Sequence, residues 1–92
     1  MHDQIKLHFN KGERRKIQLD VYSCKDESFV ILGATYEIID HKAQVVASGD
    51  CAVIDKTLSY IFEASTKGLF TATITLIIAD EIIKEKMVIC VS

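Results

Sequence analysis

Phe70-Thr71-Ala72-Thr73-Ile74-Thr75-Leu76-Ile77-Ile78 decides the fold class of this 92-residue chain. On an extended backbone, Phe70, Ala72, Ile74, Leu76 and Ile78 fall on one side and Thr71, Thr73 and Thr75 on the other. Successive side chains alternate faces only in a strand, so this period of two predicts a strand with one buried face. Asp80-Glu81 then reverses the chain, and Met87, Ile89 and Val91 return inward against Lys84, Lys86, Val88 and Cys90. A long terminal hairpin results.

The same alternation runs outward from that hairpin. Ile5, Leu7 and Phe9 oppose Gln4, Lys6 and His8, and Ile17, Leu19 and Val21 oppose Lys16, Gln18 and Asp20. Between them Asn10-Lys11-Gly12-Glu13 carries turn chemistry, Gly12 being free to take a positive φ. Ser23-Cys24-Lys25-Asp26-Glu27-Ser28 reads as a loop, and Phe29 to Leu32 is a short apolar run. Ala34, Tyr36 and Ile38 alternate with Thr35, Glu37 and Ile39, turn at Asp40-His41-Lys42, and pair in a hairpin with Ala43 to Ala47. Ser48-Gly49-Asp50 is a turn or bulge before Cys51 to Ile54, and Leu58, Tyr60 and Phe62 alternate with Ser59, Ile61 and Glu63. Two segments keep a helical alternative. Asp80 can cap a helix in which Ile83 and Met87 stack four residues apart, and residues 55–63 can hold a single turn. Strands win at both because β-branched residues pack well on a pleated surface and lose χ1 freedom on a helix. Seven or eight strands with turns every 8–12 residues predict an all-β fold: an antiparallel, immunoglobulin-like β-sandwich filling residues 1–92 as a single domain.

Composition agrees. Of 92 residues, 26 are Ile, Val or Thr, and there is neither Pro nor Trp. A net charge of −2 makes a general nucleic-acid or anionic-membrane binder unfavourable, so neither partner is expected. No apolar run follows a basic start, which predicts no signal peptide and synthesis in the cytoplasm. The longest apolar stretch, Ile74 to Ala79 with Thr75 inside it, is far short of the ~20 residues a spanning helix needs. Cys24, Cys51 and Cys90 are an odd, widely spaced set, which predicts free thiols rather than a disulfide framework.

A Cys could pair with His2, His8 or His41, but no local signature supports a nucleophile and base. Metal sites need close-set ligands, and the nearest histidines, His2 and His8, are six apart. Asp20, Asp26 and Glu27, or Asp40, Asp50 and Asp55, could meet at the sandwich ends around calcium, yet they lack a calcium-loop spacing and read as solvated turn carboxylates. The basic run Lys11-Gly12-Glu13-Arg14-Arg15-Lys16 has no interleaved aromatics and reads as a solvated hairpin end. Gly12, Gly33, Gly49 and Gly68 are scattered one per turn and make no phosphate cradle. The Thr71-Thr73-Thr75 ladder fits either a binding face or an ordinary solvent face. No catalytic, cofactor-binding or metal residue is predicted, and an enzyme is not expected. Ile39, Ile61, Ile77 and Val88, however, fall on the outer faces of their strands. Several on one sheet would form an apolar patch and favour a protein partner or a homo-oligomer.

The order of segments, Ile5 to Phe9 with a Lys-Gly turn, Ile17 to Val21, Leu32-Gly33-Ala34-Thr35-Tyr36-Glu37-Ile38, Val45 to Gly49 and Gly68 to Ile74, resembles the small immunoglobulin-like β-sandwich domains of tailed-phage structural proteins. These include the N-terminal domain of the baseplate upper-protein family. The resemblance implies a virion or prophage structural part without an active site, acting through protein–protein contacts. It departs in having Asp80-Glu81 where an Asp-Gly turn is often found. The alternative is a small β-sandwich binding module for a carbohydrate or protein ligand, acting through its loops or one sheet face.

Overall fold

The computed structural model describes residues 5–21, 30–78 and 81–92. Eight strands lie among them: β1 (Ile5–Phe9), β2 (Arg14–Asp20), β3 (Ile31–Ile39), β4 (Val45–Asp50), β5 (Ala52–Ile54), β6 (Thr57–Glu63), β7 (Gly68–Ile78) and β8 (Glu81–Val91). They form a five-stranded sheet ordered β1-β8-β7-β3-β4 and a three-stranded sheet ordered β2-β6-β5, the two layers of a β-sandwich. The chain crosses between layers at both sides, from β1 to β2 and from β4 to β5, so neighbouring edges are covalently tied.

The apolar rows read from the sequence make the core. Phe70, Ala72, Ile74 and Leu76 of β7 are buried, as are Met87, Ile89 and Val91 of β8, Ala34 and Ile38 of β3, and Leu58, Tyr60 and Phe62 of β6. Phe62 sits edge-on to both Phe9 and Phe70, with ring centroids 5.2 and 5.8 Å away, which closes one end of the sandwich. Towards the other end Tyr36 and Tyr60 stack at 4.7 Å, and the Tyr60 hydroxyl donates to Met87 Sδ at 3.0 Å. Edge-to-face and offset pairs of this kind add roughly 0.5–1.5 kcal/mol each beyond their burial.

Both helical alternatives are replaced by strand. Residues 57–63 pair with β2 and β5, and residues 81–91 pair along their whole length with β7. A cross-strand partner at every position outweighs the local helix propensity of Glu81, Lys84 and Glu85. The expected reversal at Asp80, the loop at residues 23–28 with Cys24, and the start of the Phe29 run lie outside the described residues. One ladder departs from the antiparallel expectation: β1 runs parallel to β8, with Ile5 opposite Met87 and Phe9 opposite Val91. Phe9 thereby reaches the core end, while the turn at Asn10–Glu13 carries the chain to the other sheet. Backbone bonds from Lys11 N to Ser92 O and Gly12 N to Ala64 O pin that turn to the ends of β8 and β6. Gly12 takes φ 95° there, as a left-handed turn position requires.

Candidate functional site

The fold disperses most of the residues considered for chemistry. Among the described residues, no three of His, Cys, Asp and Glu gather where they could hold a metal ion. Asp20 accepts a hydrogen bond from the Thr57 hydroxyl at 2.8 Å across the β2–β6 ladder. Asp40 turns back on its own loop, where its Oδ1 accepts from Lys42 N at 2.8 Å and Gln44 N at 3.0 Å. These donors, Gln44 first, hold its carboxyl below the usual aspartate range. His2, Asp26 and Glu27 lie outside the described residues.

Cys51 is buried where the chain leaves the large sheet for the small one, its amide bonded to Ala34 O at 2.9 Å. Burial, seconded by Asp50, pushes its thiol above the usual cysteine range, which suits a structural thiol and not a nucleophile. Cys90 is half-buried and free on β8, opposite His8 in the parallel ladder. His8 Nε2 lies 2.7 Å from Ser92 Oγ. Among the described residues that imidazole makes no ion pair with a carboxylate.

The basic run is partly absorbed into the fold. The Arg15 guanidinium lies over the Phe9 ring at 3.8 Å, reaches Glu13 at 3.7 Å, and donates to the His8 carbonyl on the outer side of β1. A cation over an aromatic face and a filled backbone acceptor together close the core end and blunt an open sheet edge. Arg15 is therefore structural.

What remains is the outer face of the five-stranded sheet. The registers place its residues in rows running from β8 across β7 and β3 to β4. One row is Lys86, Thr73, Glu37 and Ser48, and the next is Lys84, Thr75, Thr35 and Asp50. These eight side chains line a shallow depression of about 600 Å³. Lysines stand on one flank, carboxylates on the other, and hydroxyls between. The ion pair found among the described residues is that of Arg15 with Glu13, and Lys84, Lys86, Glu37 and Asp50 make none there. Apolar residues frame the belt at both ends. Beyond Thr75 come Ile77 and Ile82, which are register partners, and Gly33 opposite Ile77 with Leu32 beside it at the bulge. Beyond Thr73 come Val88, Thr71, Ile39 and Val45, with the exposed Val46 next to Val45.

Of the four outward apolar residues in the sequence, Ile39, Ile77 and Val88 share this face, and Ile61 stands on the other sheet. The threonine ladder is the midline of the same face. What alternation could not reveal was the partner rows. That Lys86 lies level with Glu37 depends on β3 pairing β7, an association of residues 36 apart in the chain.

No family model matches the chain, and no curated protein matches it. Among solved structures, CopC from Methylosinus trichosporium OB3b matches with a TM-score of 0.71 at 14% identity, over 97% of this chain and 85% of that one. The likeness is one of fold. It places the chain with an immunoglobulin-like β-sandwich of similar length. It also overturns the expected kinship with tailed-phage baseplate domains, and with it the virion or prophage structural role. Turn glycines and alternating strands are common to β-sandwiches of this size, so they fixed an architecture without distinguishing one lineage from another. No helix is long and apolar enough to cross a membrane among the described residues.

Proposed function

We propose that the protein is a non-enzymatic binding module whose ligand is a polypeptide, held on the outer face of the five-stranded sheet. The observation that carries this reading is the belt of Lys84, Lys86, Thr73, Thr75, Thr35, Glu37, Ser48 and Asp50. Its opposite charges make no ion pair among the described residues and are framed by exposed isoleucine, leucine and valine. A charged and hydroxylic centre between apolar ends complements a folded protein surface, where charge sets orientation and burial supplies affinity. A carbohydrate ligand is the weaker reading. Sugar rings stack on exposed aromatic faces; Phe9, Tyr60, Phe62 and Phe70 are buried in the core, and half-buried Tyr36, though it borders the depression, has one ring face taken by its stack on Tyr60.

Site-directed photo-crosslinking tests the reading. Benzoylphenylalanine at Thr73 samples the outer face of the large sheet, and the same probe at Gln18 samples the small sheet as control. In cells that make the protein, irradiation is expected to yield polypeptide adducts from Thr73 and few from Gln18. Absence of an adduct at Thr73, or equal adducts at both positions, overturns the proposal.

A further inference from the structure

We infer that the polypeptide seated on this face is a second copy of the same chain, packed face to face about a two-fold axis that runs along β7. The inference rests on the binding-face reading above and narrows it to one partner.

β7 is the middle strand of five, with β8 and β1 on one side and β3 and β4 on the other. A two-fold axis lying in the contact plane along β7 carries β8 of one copy over β3 of the other and leaves each row at its own height. Lys86, level with Glu37, then lands on Glu37 of the second copy, and the symmetry repeats the contact. Lys84 lands on Thr35 beside Asp50. Thr73 and Thr75 meet their own copies on the axis, where hydroxyls can bond to each other. The apolar rows agree as well. Ile82 falls over the Leu32-Gly33 bulge, Ile77 meets Ile77, and Val88 falls over Ile39.

This self-complementarity is specific to that axis. A two-fold across the strands would set Lys84 and Lys86 against the other copy's lysines and Glu37 against its carboxylates, and like charges face to face are repulsive. Sheets that pack face to face stand about 10 Å apart with strand directions within roughly 30°, which lysine and glutamate side chains can bridge. That rotation moves the end rows most and leaves the central belt in register. With strands about 4.8 Å apart, the face offers on the order of 500 Å² of flat area before side-chain relief is counted. This approaches the ~800 Å² per partner of a standard interface, so a modest, salt-sensitive dimer is expected rather than an obligate one.

The test is a charge-reversal cycle on the full chain, read by light scattering and analytical ultracentrifugation at low and high salt. The wild-type chain is expected to reach twice its 10.3 kDa mass at low salt and to dissociate as salt rises. Glu37→Lys and Lys86→Glu each place like charges at both symmetric contacts, so each should weaken association at least about tenfold. The double variant restores opposite charges and should recover the wild-type constant within about threefold. Circular dichroism checks that all three variants fold, since both positions are exposed or on the sheet exterior. A chain that stays monomeric at every concentration overturns the dimer, as does a double variant no better than the singles. If Thr73 crosslinks to a different polypeptide, the dimer fails while the binding-face reading survives; if Thr73 yields no adduct, that reading fails with it.

Discussion

Gly49 shows how closely one residue on β4 is constrained. It lies opposite Tyr36, and a Cβ there would stand 3.2 Å from the Tyr36 hydroxyl oxygen and 3.3 Å from its Cε1. The ring cannot swing away freely because its other side is stacked on Tyr60 at 4.7 Å. In an open strand, alanine would gain roughly 0.5–1 kcal/mol over glycine through lost backbone entropy. Here overpacking, which costs about 1–3 kcal/mol, wins. Gly49→Ala should therefore lower the unfolding free energy by about 1 kcal/mol in urea titration. Tyr36→Phe, which removes the nearest atom, should recover part of that loss when the two are combined. An unchanged midpoint in the single variant would mean the stack yields. In the sequence Gly49 read as a turn or bulge residue, because proximity to a ring thirteen positions away leaves no local mark.

At the scale of elements, the β3–β4 hairpin joins a turn the sequence did show to a register it did not. Asp40-His41-Lys42 was legible as turn chemistry, since a short carboxylate can accept from backbone amides just ahead of it. The structure supplies the bonds from Lys42 N and Gln44 N, and Ala43 takes φ 62° to complete the reversal. Because those bonds favour the ionised carboxylate, the folded pKa of Asp40 lies below its unfolded value. The sign follows: this contribution is full above the ordinary aspartate pKa near 3.9 and is lost as pH falls through the lower folded value. Asp40→Asn should lower stability by a constant amount above about pH 4 and flatten the fall below it, so that the two proteins converge in acid. Thermal unfolding of both proteins across that range decides it, and parallel profiles would assign the acid sensitivity elsewhere. The shift between Ile38 and Ile39 stayed hidden. A bulge adds one residue to one strand and leaves hydrophobic alternation on either side intact, so a single sequence cannot locate it.

For the whole molecule, strand existence and facing were legible because burial on one face imposes period two on each strand separately, as along Phe70 to Ile78. Pairing order was not, because β1 against β8 joins the ends of the chain and no local pattern encodes an association over more than eighty residues. That order fixes a gradient of stability. β7 is paired on both sides from Thr71 to Ile78, and its Ala72, Ile74 and Leu76 are buried. β5 pairs over three residues on one side only, and all three are exposed. Native-state hydrogen exchange should show β7 amides opening only with global unfolding, and the bonded amides of β5 opening locally at a lower free energy. The outer edge of β4, which no described strand pairs, adds a discriminating reading. In a face-to-face dimer the outward amides of β4 stay open to solvent and exchange quickly. If copies instead joined edge to edge through β4, those amides would be bonded across the contact and protected at high protein concentration. Fast exchange on the β4 edge, with slowed exchange along β7 and β8 as concentration rises, is the expected pattern; protection of the β4 edge would transfer the contact from the sheet face to its rim.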